Sequence, residues 1–160
     1  MYTHLPIDTF QQYSRRPDTS PLAPTAQRQQ HLQSGFHFTC ICPRCTSADE
    51  SDAALNLLSS MQAQLNDWSS SVKSASHYTA LADDLLDLYR GEGLEGFMDV
   101  AFGFAALAYS SVGDADGAVK YAGKAKDAVM MKDGRWAPNL GIWEDVLAAP
   151  MQHWSWKRRM

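Results

Sequence analysis

No run in this 160-residue chain approaches the roughly eighteen consecutive apolar residues that a membrane span requires, so the sequence offers no transmembrane helix. The first residues also lack a basic stretch leading into an apolar one, which argues against a secretory leader and makes cytoplasm or nucleus the expected compartment. Cysteine is scarce: there are three, all between Cys40 and Cys45. An odd, clustered set in such a compartment points to metal binding rather than disulfides. No serine-histidine-acid order, phosphate loop or paired-carboxylate pattern stands out, so common hydrolytic and nucleotide chemistries have no foothold. Basic charge is in deficit, with 14 lysines and arginines against 18 acids.

The remaining composition is that of a globular protein, 45% hydrophobic and 20% charged. The charge is unevenly spread: four arginines face two aspartates up to Cys45, sixteen acids face seven bases from Thr46 to Pro150, and Lys157, Arg158 and Arg159 come last. An acidic middle argues against a nucleic-acid surface there. It suits either a basic protein or peptide partner, such as a histone tail, or simply the solvated faces of helices.

Residues Met1 to Phe10 alternate loosely apolar and polar around a proline, as in a short strand entering a turn. Gln11 to Gln30 carries Pro17, Pro21, Pro24 and three arginines, a composition expected on a surface loop. Ala26 to Ser34 reads as a short helix stopped by Gly35. From Asp49 onward the periodicity is helical. Leu55, Leu58, Met61, Leu65, Trp68 and Val72 form one stripe, with Ser51 or Asp52 as its cap. Tyr78, Leu81, Leu85 and Leu88 form a second, ended by Gly91 or Gly93. Leu94 to Val112 is apolar on most sides and should be the central buried helix. Gly113 ends it, Asp114 caps the next, and Ala118, Tyr121, Ala122, Ala125 and Val129 are that helix's buried stripe, closed by Gly134.

The stretch around which this is organised is Phe36 to Cys45, F-H-F-T-C-I-C-P-R-C. In C-x-C-x-x-C the two-residue turn brings Cys42 and Cys45 to one side while Cys40 reaches in from the incoming segment, so three sulfurs can meet one tetrahedral ion. Structural zinc (Zn2+) is the metal this spacing fits best. A closed site needs a fourth ligand, either a histidine of this chain or a cysteine from outside it. His37 points away between two aromatics, and His31 and His4 would serve only if the fold delivered them. Phe36 and Phe38 are expected on one face of an extended segment, where core packing is their ordinary role.

Taken with what precedes it, this stretch resembles the post-SET segment of SET-domain lysine methyltransferases, most closely the SMYD-like branch. The pattern of an arginine, a leucine, an aromatic-x-aromatic pair and C-x-C-x-x-C appears as Arg28, Leu32, Phe36, Phe38, Cys40, Cys42 and Cys45. Upstream, Tyr2-Thr3-His4-Leu5-Pro6-Ile7-Asp8 is similar to the closing strand of a SET domain. The resemblance implies that Tyr2 orients the substrate lysine amine, that Phe36 or Phe38, and more so Phe38, lines the S-adenosylmethionine and lysine channel, and that the fourth zinc ligand is a cysteine of the SET domain. It also implies that the cofactor-binding segments lie N-terminal to Tyr2, so the chain reads as the C-terminal part of such an enzyme and is expected to be inactive alone.

Phe102, Ala105, Ala106, Tyr109, Gly113, Ala118, Ala122 and Ala125 also fall at the spacings of one tetratricopeptide (TPR) repeat, and SMYD-like enzymes carry a helical C-terminal domain of that kind. The expected fold is therefore mainly α. Residues 1–10 would end a SET domain, 11–30 would be a loop insertion, 31–48 the post-SET segment and 49–160 a TPR-like helical domain. The alternatives are a non-enzymatic helical module that binds a partner peptide, or a fragment without independent function. Trp136, Trp143, Trp154 and Trp156 are read as fillers of helix seams in preference to a binding surface, and Lys157 to Arg159 as a weak nuclear signal.

Overall fold

The computed structural model describes residues 21–69 and 73–160. These are mainly helical, with seven α-helices and no strand among the described residues. The strand expected over Met1–Phe10, with Tyr2 and His4 on it, lies outside the described residues, as does Val72. The chain divides between Leu55 and Asn56 into two compact units.

In the first unit, helix α1 (Thr25–Phe36) follows Pro24. A four-residue turn of helix, α2 (Pro43–Thr46), has proline at its first position, where the missing N–H costs nothing. It leads directly into the long helix α3 (Ala48–Asn66), which continues into the second unit. Because α2 abuts it, α3 begins before the expected caps, and the Ser51 N–H already bonds the Ser47 carbonyl at 3.0 Å. Asp52, freed from capping, instead accepts both the N–H of Thr25 at 2.8 Å and its hydroxyl at 2.9 Å. That bond fixes the start of α1 against the start of α3.

Helix α1 overruns the expected stop. Gly35 stays helical, and His37 takes the left-handed conformation (φ 57°) with its N–H on the Gln33 carbonyl at 3.1 Å. Histidine is among the non-glycine residues that tolerate this region. Ending two residues later sets the Phe36 ring edge-on to His31, with centroids 6.0 Å apart.

The second unit adds α4 (Ala75–Gly91), α5 (Met98–Ser111), α6 (Ala115–Asp133) and α7 (Leu140–Ala148). Helix α5 packs on both α4 and α6, which explains why Ala101, Ala105, Ala106 and Ala108, on several sides of it, are all buried. The first turn of the expected Leu94–Val112 helix is 3-10 (Glu95–Phe97). The turn into α6 follows expectation: Gly113 has φ 78°, and the Asp114 carboxylate accepts the Gly117 N–H at 2.8 Å. The expected stripe of α6 is buried in full. On α4 the buried set is wider than the stripe, taking in Ala82, Leu86 and Tyr89, while Leu88 is only half-buried.

Small residues let α5 and α6 approach closely. A Cβ at Gly117 would lie 2.3 Å from the ring of Tyr109, whose hydroxyl donates to Asp83 on α4 at 2.9 Å. Buried Asp99 at the start of α5 pairs with Lys132 at the end of α6, 2.6 Å away. The Tyr89 hydroxyl accepts from Gln62 at 2.8 Å; burial first, then the Asp99 charge, raises its pKa.

Helix α7 was not foreseen, although Leu140, Trp143 and Val146 recur every three residues and are all buried. The tryptophans separate: Trp143 fills a seam, Trp154 meets Trp68 edge-on at 4.9 Å, and Trp136 is 83% exposed. The last residues fold back on α5. Lys157 and Arg159 donate their N–H groups to the carbonyls of Ser110 and Ser111, each at 3.0 Å. Arg159 is buried, so the expected basic terminal signal is not displayed as a free run of three charges.

Candidate metal centre

Cys40, Cys42 and Cys45 converge, with their sulfurs all within 4.8 Å of one another. Local hydrogen bonds create this convergence. The Cys42 carbonyl accepts the N–H of Cys45 at 2.9 Å and of Thr46 at 3.0 Å, which curls the chain so that the sulfurs of Cys42 and Cys45 share a side. Cys40 is fixed from α1: the Gln29 amide accepts the Cys40 N–H at 2.9 Å and donates to its carbonyl at 2.7 Å. The part of Gln29 in that clamp was not anticipated. The available signal was helical spacing, which puts Thr25, Arg28, Gln29 and Leu32 along one side of α1.

The donor set fits a metal ion. Zinc–sulfur bonds of about 2.3 Å in a tetrahedron put sulfurs about 3.8 Å apart, so closing on an ion asks for a contraction of no more than about 1 Å. The cysteines are free thiols, unlinked to each other. The Cys45 N–H, acting on the Cys42 sulfur, lowers the pKa of that thiol. Burial, followed by the hydrogen bond with Cys42, raises that of Cys45, partly opposed by Arg28.

Positive charge is built in beside the sulfurs. The Arg28 guanidinium lies 4.0 Å from the Cys45 sulfur, with its remaining donors on the Ala23 carbonyl at 2.7 Å and the Thr25 hydroxyl at 2.9 Å. Arg44 is tied to the Pro21 carbonyl at 2.9 Å and the Ser51 hydroxyl at 3.3 Å. Three thiolates on a divalent ion leave one net negative charge, which these arginines offset. All three cysteines line a cleft of about 290 Å³ together with both arginines, His31 and Phe36.

The two phenylalanines do not share one face of an extended segment. Phe36 closes α1 and the left-handed His37 turns the chain between them. Core packing is excluded for both, since Phe36 is 63% and Phe38 49% exposed. The His37 backbone terminates α1, His31 lines the cleft, and neither imidazole belongs to the sulfur cluster among the described residues. Tyr2, the expected catalytic residue, lies outside the described residues. In the second unit His153, Ser155 and Ser110 form a hydrogen-bonded chain of 2.7 and 2.8 Å, but both serines are fully buried, so it is a structural seam and not a nucleophile. No family model, curated protein or solved structure matches the chain.

Proposed function

We propose that this chain serves as the C-terminal part of a SET-domain protein-lysine N-methyltransferase, in which Cys40, Cys42 and Cys45 hold a structural zinc ion and the helices beyond it wall one side of the substrate cleft. The observation that carries this reading is the convergence of the three sulfurs under Arg28, the arginine of the post-SET-like pattern. Zinc would tie the loop after α1, which Gln29 holds at Cys40, to α2, and so brace the segment that carries Phe36 and Phe38. The faces of exposed aromatic rings suit contact with a cationic group such as a lysine ammonium or a methylsulfonium. A TPR-like reading of the α5–α6 hairpin is supported by the close approach of Gly117 to Tyr109. The acidic second unit fits a basic substrate such as a histone tail, and nucleus or cytoplasm is the matching compartment.

The test is the transcript read upstream of Met1. An in-frame glycine-rich segment and an Asn-His-x-x-x-Pro-Asn stretch, which would supply the S-adenosylmethionine site, are the expected result. Finding neither would leave the helical peptide-binding module as the better reading. Tyr2 is tested in the same enzyme, where Tyr2→Phe should abolish methyl transfer while leaving bound zinc unchanged.

A further inference from the structure

Arg159 is 5% exposed, yet among the described residues no carboxylate lies within ion-pair distance of it. Its guanidinium lies 3.9 Å from the ring centre of Trp68 and 4.2 Å from that of Tyr78. One terminal nitrogen donates to the carbonyls of Leu65 at 2.5 Å and Asp67 at 3.1 Å. These carbonyls belong to the end of α3, where the last turn leaves acceptors without intrahelical partners and the helix dipole is negative. Two aromatic rings and two carbonyls recognise a flat, delocalised cation specifically. An ammonium offers neither the face nor the fork.

The occupant fits incompletely. The Nε and the other terminal nitrogen of Arg159 are buried with no acceptor among the described residues, and Lys157, two residues earlier, sits at φ 55°. Unsatisfied buried donors and a left-handed non-glycine residue both favour release. The segment that would have to leave is the end of the chain, joined to α5 by the two main-chain bonds and the Ser155–Ser110 contact.

We propose that Trp68, Tyr78 and the carbonyls of Leu65 and Asp67 form a guanidinium-binding cage that Arg159 fills in cis, and that an arginine side chain of a basic peptide enters when the tail lifts. The tail is then a built-in competitor. Apparent affinity for an outside arginine is reduced by the fraction of molecules whose cage is open. This inference stands apart from the methyltransferase reading and from the cysteine site.

The experiment titrates full-length wild type and Arg159→Ala with the capped peptides Ala-Arg-Ala and Ala-Lys-Ala, following tryptophan fluorescence, with methylguanidinium and methylammonium as small probes in thermal melts. Arg159→Ala should bind the arginine peptide at least about tenfold more tightly than wild type does, and more tightly than it binds the lysine peptide. Methylguanidinium, but not methylammonium, should raise its melting temperature, and Trp68→Ala in the same background should remove both effects. Equal binding by wild type and variant, equal response to the two cations, or persistence without Trp68 would each overturn the proposal. If Arg159→Ala does not fold, Arg159→Lys carries the same comparison, since it keeps charge and stem but lacks the planar group.

Discussion

Gly117→Ala is the sharpest probe of how the helices of the second unit meet. On an ordinary helix surface the change stabilises by up to about 1 kcal/mol, because alanine is the better helix former. Here the new methyl would lie 2.3 Å from Cδ1 and 2.8 Å from Cγ of Tyr109, and 3.0 Å from an Asp114 oxygen that belongs to the capping carboxylate. The ring must move, and its hydroxyl bond to Asp83, 2.9 Å long, moves with it. Overpacking costs about 1–3 kcal/mol, and a hydrogen bond to a charged group is worth about 1.5–3 kcal/mol. Set against the helix-propensity gain, the net loss should be about 1.5–5 kcal/mol. Urea unfolding followed by far-ultraviolet circular dichroism measures it. The control is Tyr109→Ala, in whose background Gly117→Ala should become neutral or stabilising, giving a coupling energy above about 1.5 kcal/mol. A Gly117→Ala protein as stable as wild type, or a cycle without coupling, would refute the close approach of α5 and α6.

Lys132→Met should destabilise by about 2–4 kcal/mol in the same assay, because it strands the buried Asp99 carboxylate without its ion pair; a loss below about 1 kcal/mol would show that Asp99 is solvated. The pKa values of Tyr89, Tyr109 and Tyr121 are raised, in each case first by burial. Raised phenol values mean that their contribution to stability is complete below the ordinary pKa of about 10 and is lost as pH climbs above it. Absorbance titration at phenolate wavelengths should therefore show these three of the six tyrosines ionising late, together with the loss of helix signal; six independent titrations near the ordinary value would contradict this. A strong chelator should leave most of the helical dichroism intact, since the core from Leu58 to Val146 is built from apolar side chains of the second unit and not from the cysteines. Collapse of that signal would show that metal holds the whole chain.

Much of the second unit was legible in the sequence because its signals are local. Asp114 and Gly113 specify a cap and a left-handed turn whatever surrounds them, and the α6 stripe repeats at helical spacing. Positions set by remote partners were not legible. Nothing near Arg159 in sequence indicates that its guanidinium will close the end of α3, more than ninety residues away. Ser51 and Asp52 look like caps until the preceding α2 displaces the helix start. Gly35 looks like a stop until His37 ends the helix instead. At the candidate site the convergence of the three cysteines was readable from spacing alone, whereas the Gln29 clamp and the Arg28 counter-charge depend on α1 lying beside the cysteine loop. Phe36 and Phe38 were misplaced for a related reason, since an aromatic-x-aromatic pair shares a face only while the backbone between them stays extended.

Cobalt substitution tests the central claim most directly. Co2+ replaces zinc in thiolate sites and reports sulfur ligation through its charge-transfer and ligand-field absorption. The purified chain should bind one equivalent, with bands of tetrahedral coordination by three sulfurs and one further ligand, and zinc should displace it. Cys40→Ser, Cys42→Ser and Cys45→Ser should each weaken binding by more than about tenfold, and binding should fall with acidification as protons compete for the thiolates. No thiolate band, or bands that survive loss of any one of the three cysteines, would contradict the assignment of this cluster as a metal centre.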